Sequence, residues 1–361
     1  MAELHQISPF TDSTAVEAWD AWFRWRDQAG LHDISIEHTW TRVASMLATP
    51  EVEAASWHSR FLSALSSWRL LPDERILASA GTGEITWREG PLRASLNAAA
   101  FVSAGTFGKG RMELAALMDG AELALQTLDN AALIGGLSTP RLRVGLIGVA
   151  DALWMLGLGY DSHEGRAMAS AIGKALAEGC FRASIALARR RGVCGGNTSE
   201  AIARGVQREL PEELLREAED YGLRYQKLTA ITSQQRLALL ANVVANALDP
   251  LVGKNHRYAF IAPGGERKTT SSGYALGTHP VNGISDEADT VDELGWLPQL
   301  RMRAAVQPYV DEPIGYPLLV SRNPSDRQTR DATLEAARFG LPTPAWQNVS
   351  DALYSCAREL L

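Results

Sequence analysis

The residues of this chain that could carry chemistry fall into a few local patterns. Val144-Gly145-Leu146-Ile147-Gly148-Val149-Ala150 sets two glycines at the end of an apolar run that leads into a helix. Glycines so placed let the backbone approach a pyrophosphate at a helix N-terminus, as in the dinucleotide-binding GxGxxG turn. Only GxxG remains here, so close helix-to-strand packing competes with cofactor binding at Gly145 and Gly148 and is the simpler reading. Gly195-Gly196-Asn197-Thr198-Ser199 is a flexible turn, able either to hold an anion on free amides or to stop one helix and cap the next. Cys194 beside it is a candidate nucleophile, with only Arg189, Arg190 and Arg191 near in sequence to favour a thiolate. Asp286, Glu287, Asp289, Asp292 and Glu293 form an acidic run without the glycine-turned loop that wraps a cation, which reads as a solvated helix start.

Metal chemistry has little to stand on. The three cysteines, Cys180, Cys194 and Cys356, have no CxxC spacing, and the seven histidines make neither HExxH nor HxH. Neither a disulfide framework nor a metal site is expected.

The elements that must position these groups follow from periodicity. Apolar residues at three- and four-residue spacing predict helices over Val16 to Arg26, Thr39 to Ala48 and Ser56 to Trp68. Trp19, Trp22 and Trp25 form a stripe on the first of these, read as a core or docking face. Seven of the ten tryptophans precede residue 90 and the rest of the chain is Ala-rich, so a boundary is placed there: a helical module over 1–90 and a second domain over 91–361. In the second, helices are predicted over Met112 to Leu133, Ala150 to Leu158, His163 to Arg191, Ser199 to Val206 and Pro211 to Tyr221. A buried strand is predicted over Arg141 to Val149. Leu228 to Leu248 reads as a strand running into a helix, and Ala262 to Gly283 as loop with one hairpin. Leu300 to Tyr309 and Asp326 to Phe339 are helices on this reading, with an extended stretch from Pro313 to Val320 between them.

At 361 residues and 46% hydrophobic content, the chain can bury a sizeable core. Its net charge of −7 disfavours nucleic acid, since phosphate neutralisation needs clustered Lys and Arg. The run Arg189 to Arg191 reads as the cationic C-terminal end of a helix. No apolar stretch reaches a membrane-spanning 18 to 20 residues, and the first residues lack the basic start and apolar run of a signal peptide, so a cytoplasmic protein is expected.

Several segments, in order over about residues 35 to 315, resemble the large chain of adenosylcobalamin-dependent (class II) ribonucleotide reductases. They are Glu37 to Ala44, Ser67-Trp68-Arg69-Leu70-Leu71-Pro72 with Ala80-Gly81-Thr82, and Thr127-Leu128-Asp129-Asn130. Arg143-Val144-Gly145-Leu146-Ile147-Gly148-Val149-Ala150-Asp151-Ala152-Leu153 with Tyr160-Asp161-Ser162 follows, then Met302 to Asp311. The resemblance implies an α/β fold leaning mostly to α, in which the helical module precedes a remnant of the second half of the family's ten-stranded barrel.

Departures from the family are as informative. Ala80-Gly81-Thr82 runs directly into Gly83-Glu84, so the first half-barrel is missing. Glu84 matches the family's active-site glutamate, but Thr82 stands where the radical cysteine belongs and Ala80 where an asparagine belongs. A Thr O–H bond is too strong to replace the thiol. One redox cysteine position falls near Leu92, and the family's phosphate loop becomes Leu228 to Gln235 without its Pro-Thr-Gly turn. The CxxC tail has no counterpart, since Cys356 is alone. The implied function is a non-catalytic binding or regulatory protein. The alternative is a repurposed, oxidoreductase-type radical enzyme that binds adenosylcobalamin or a nucleotide, with Glu84, Cys194, Asp249 and His256 as candidate groups. Losing half a barrel should expose a sheet edge, so a homodimer or a covering protein partner is expected.

Overall fold

The computed structural model describes residues 9–105, 110–262, 264–278 and 290–349. The N-terminal helices run over Ser13–Trp22, Ile36–Ala48 and Ala54–Ser66. Their apolar faces meet the rest of the chain in one core that reaches from Trp19 to Tyr316, crossing the boundary expected at residue 90. Arg42 stitches this region together. Its guanidinium meets Asp33 and donates to the carbonyls of Phe23, Leu77 and Ala80.

The central sheet is small. Leu70–Pro72 pairs antiparallel with Leu92–Asn97, which pairs in parallel with Leu142–Ile147. A fourth position is taken by Leu228 to Ala230: the Val144 N–H donates to the Leu228 carbonyl at 2.8 Å, and the Ala230 N–H donates to the Val144 carbonyl at 3.1 Å. Two long helices, Leu114–Gly135 and His163–Arg191, pack against each other behind it. The second begins where Ser162, with Asp161 one of two cap candidates in its sequence, accepts the Gly165 N–H at 2.8 Å. The structure is 51% helical and 15% strand, with no closed barrel among the described residues. That agrees with a mostly helical α/β remnant.

Three expectations change. The sheet edge is not bare, since all three residues of Leu70–Pro72 are buried by the chain itself. Large exposed apolar residues such as Ile34, Val52 and Leu334 lie on separate elements. The hairpin comes earlier than read, as His256–Ala262 against Gly265–Ser271, and Phe260 packs on Trp22 with ring centroids 5.0 Å apart. Trp19 and Trp22 therefore face their own chain, whereas Trp25 lies past the end of the helix and stacks on His32, so the expected three-residue stripe is shortened to two.

The third change concerns the Ala-rich stretch from Leu237 to Leu248, where helix was expected. Only Gln235–Leu240 is helical. Asn242 and Val243 then turn to φ of 63° and 61°, in the left-handed region that a β-branched residue rarely enters. Both backbone groups of Ala245 are engaged elsewhere: its N–H donates to Asp151 at 2.6 Å and its carbonyl accepts the Gly148 N–H at 2.7 Å. Long-range hydrogen bonds thus outweigh alanine's helix propensity.

Candidate functional site

Residues beyond the carboxyl ends of these strands close around a cavity, the place where open α/β sheets usually bind ligands. Asp151 follows Leu142–Ile147 and Gln235 follows the Leu228 to Ala230 position, while Val349 follows Trp346–Asn348, which pairs in parallel with Leu318–Val320 in a separate sheet. Asn246, Asp249, His256, Tyr258 and Ser272 add to its polar lining. Val243, Val244, Leu251 and Leu319 supply apolar wall. Its volume is ≈ 70 Å³, well below the roughly 300–1,000 Å³ of most small-molecule sites.

Two buried carboxylates share this cavity. Asp151 accepts the Ala245 N–H at 2.6 Å and the Ala275 N–H at 3.1 Å. Asp249 accepts from Asn246 Nδ2 at 2.8 Å through Oδ2, while Oδ1 lies 3.6 Å from Arg303 Nη2, beyond hydrogen-bond reach. Burial pushes both acids up to about 6, against the opposing pull of the backbone amides on Asp151 and of Arg303 on Asp249. Burial also lowers the His256 imidazole, with Asp292 pulling the other way.

A second layer fixes Asp249. The Arg303 guanidinium lies 3.9 Å from the Tyr316 ring centroid and donates to the carbonyls of Tyr316 and Pro317. The Tyr316 hydroxyl accepts the Leu248 N–H at 3.0 Å, and the Tyr160 hydroxyl donates to the Leu248 carbonyl at 2.6 Å. The arrangement can exchange protons at two carboxyls and an imidazole near neutral pH. No group of three or more His, Cys, Asp or Glu able to hold a metal ion occurs among the described residues.

Of the residues singled out from sequence, Asp249 and His256 come together here. Glu84 is exposed on the loop between the Glu74–Ser79 helix and the sheet and does not line the cavity. Cys194 is exposed in a separate hollow at the opposite ends of the same strands. Gly145 and Gly148 sit in close packing. A Cβ on Gly145 would fall 2.5 Å from the Ala230 carbonyl oxygen, and one on Gly148 would fall 2.4 Å from Asn97 Oδ1. The Gly148 amide is already spent on Ala245, and the helix it leads into has only seven residues. Leu92 is buried at the start of its strand. In the acidic run, Asp286, Glu287 and Asp289 lie outside the described residues, as does Cys356; Asp292 and Glu293 are exposed in the first turn of a short helix.

The chain also matches a known domain. Residues 93–257 match the ribonucleotide reductase barrel domain. That span covers under half of the chain and holds the parallel strands together with Asp151, Asn246, Asp249 and His256. It supports a ribonucleotide reductase-like protein related to the family's large chain. Comparison with curated proteins finds no match.

Asp151, Tyr160 and Arg303 of this site received no role from sequence. The available signal was an acid inside an apolar run, Ala150-Asp151-Ala152-Leu153, since a buried carboxylate needs partners. No helix among the described residues is long and apolar enough to cross a membrane.

Proposed function

We propose that this ribonucleotide reductase-like chain is a binding or regulatory protein that does not reduce ribonucleotides. One observation carries the reading: the cavity beyond the strand ends holds only ≈ 70 Å³ and, among the described residues, no cysteine lines it. A nucleotide is too large for that volume, and the radical chemistry of the resembled family finds no thiol there among the described residues. Cys180 is buried, with its thiol pushed well up by burial, and Cys194 is at the far end of the strands. The residues at the cavity do not fit adenosylcobalamin either, whose corrin exceeds it many times over, so no step is drawn through that group. A homodimer or a protein partner stays part of the proposal on the resemblance to a longer barrel, and a cytoplasmic location on the sequence pattern of the first residues.

The test is direct. The full chain, incubated with ribonucleoside di- or triphosphates, adenosylcobalamin and a dithiol, is expected to yield no deoxynucleotide. Thiol-dependent deoxynucleotide formation would overturn the reading.

A second reading is favoured by the proximity of Asp249, Asp151 and His256 in one cavity. Carboxyls near 6 beside an imidazole suit general acid–base catalysis on a very small substrate. It predicts an activity with a pH profile centred near 6 that Asp249→Asn removes.

A further inference from the structure

The larger hollow lies at the opposite ends of the strands. Its volume is ≈ 390 Å³, within the range of small-ligand sites. Five cationic residues line it, Arg141, Arg143, Arg204, Arg224 and Lys227, against a single acid, Glu200.

The pairing of those cations decides what is left for a ligand. Arg143 meets Glu312 at 2.6 Å, Arg204 meets Asp311 at 3.2 Å, and Arg224 meets Asp129 at 2.6 Å. Arg141 and Lys227 are exposed, and neither forms an ion pair among the described residues. Glu200 is engaged by the Asn197 side chain at 3.2 Å.

The strand starts bring the two unpaired cations to one hollow. Arg141 precedes Leu142–Ile147, and Lys227 precedes the Leu228 to Ala230 position bridged in parallel to Val144. Adjacent strands lie about 4.8 Å apart, and the Arg143 side chain donates to the Lys227 carbonyl at 2.8 Å, closing the floor between them. The ten-residue helix Thr198–Gln207 starts on the rim after Gly195-Gly196-Asn197, adding the partial positive charge of a helix N-terminus. In a chain of net charge −7, a ligand-sized hollow with this excess of cations is a local exception.

We propose that the hollow between Arg141 and Lys227 binds a small phosphate-bearing anion of pyrophosphate type. Two cations without ion-pair partners on one hollow match the two phosphoryl groups of such a ligand, and the paired arginines supply further donors without needing to be neutralised. The site is separate from the carboxylate cavity, so its test is independent of the reductase assay.

Inorganic pyrophosphate is the probe, titrated calorimetrically into the full chain at low ionic strength. Saturable binding is expected, weakening as salt rises and falling at least tenfold in both Arg141→Glu and Lys227→Glu. Both side chains are exposed, so the variants should keep the wild-type circular dichroism spectrum and melting curve. A second readout uses Cys194, which lines the same hollow. Peptide-resolved mass spectrometry should show its alkylation by iodoacetamide slowed by pyrophosphate in the wild type and not in Lys227→Glu. Absence of saturable heat, or binding equally tight in both folded variants, would overturn the proposal.

Discussion

The Asp151 carboxylate accepts the backbone N–H of Ala245 at 2.6 Å, joining the first turn after a central strand to a loop 94 residues away. With the Ala275 N–H at 3.1 Å on its other oxygen, this one side chain satisfies two backbone donors from two different segments. Asp151→Ala leaves both donors without an acceptor. Each orphaned buried donor costs about 1–3 kcal/mol, so urea denaturation should show a loss of roughly 2–5 kcal/mol. A loss under 1 kcal/mol would show that the loop relaxes around water instead.

Asp249 makes a pH prediction. Its pKa is raised from 3.8 to about 6, chiefly by burial, so the folded chain holds this proton more tightly than the unfolded chain. The resulting stabilisation is fully present below pH 4 and is lost as pH rises through about 6. Two pKa units correspond to about 3 kcal/mol. The difference in unfolding free energy between wild type and Asp249→Asn should therefore move by about this amount against the wild type from pH 4 to 6.5, then level off. A difference constant across that range would place the carboxyl in water.

Gly145 and Gly148 separate packing from cofactor binding. A methyl group at Gly145 collides with the Ala230 carbonyl across a strand pair, where neither backbone can retreat. Gly145→Ala should cost about 1–3 kcal/mol by overpacking, and Gly148→Ala more, because φ of 68° adds strain to the contact with Asn97. Gly136 is the control: it has φ of 67° with open space around it, so Gly136→Ala should cost only about 1 kcal/mol. Equal effects at all three positions in a melting series would remove the packing argument.

Where spacing and local capping decide the structure, the sequence was readable. His163–Arg191 begins on Ser162, one of the two cap candidates Asp161 and Ser162, and ends at Gly192, and Leu142–Ile147 falls within the predicted apolar strand. Ala245 could not be read this way, because its backbone is held by Asp151 and Gly148, distant in sequence and invisible to a local pattern. The cavity was half legible for the same reason. Asp249 and His256 stand out as chemical types, but nothing local says that Arg303 and Tyr316 fold over one of them. The basic hollow was missed because its unpaired residues, Arg141 and Lys227, are ordinary surface cations until the fold brings two strand starts to one hollow.

Arg189, Arg190 and Arg191 were read together as one cationic helix end, and the structure divides them. Arg191 forms an ion pair with Asp129, which also accepts from Arg224 Nε at 2.6 Å and from the Tyr225 hydroxyl at 2.5 Å. Asp129 is fully buried, so its charge is the counterion of two arginines brought in from separate segments. Asp129→Asn removes that charge and leaves both guanidinium groups to carbonyl, amide and Glu51 partners. Breaking a buried pair from one side costs about 3–5 kcal/mol, and a loss of that size is expected in chemical denaturation. Arg189 is half exposed, lies over the Tyr221 ring and reaches Glu217 only at 3.9 Å, so Arg189→Ala should stay within about 0.5 kcal/mol of wild type. A small effect of Asp129→Asn, or a large one of Arg189→Ala, would show that the helix end is held by its overall charge and not by this buried centre.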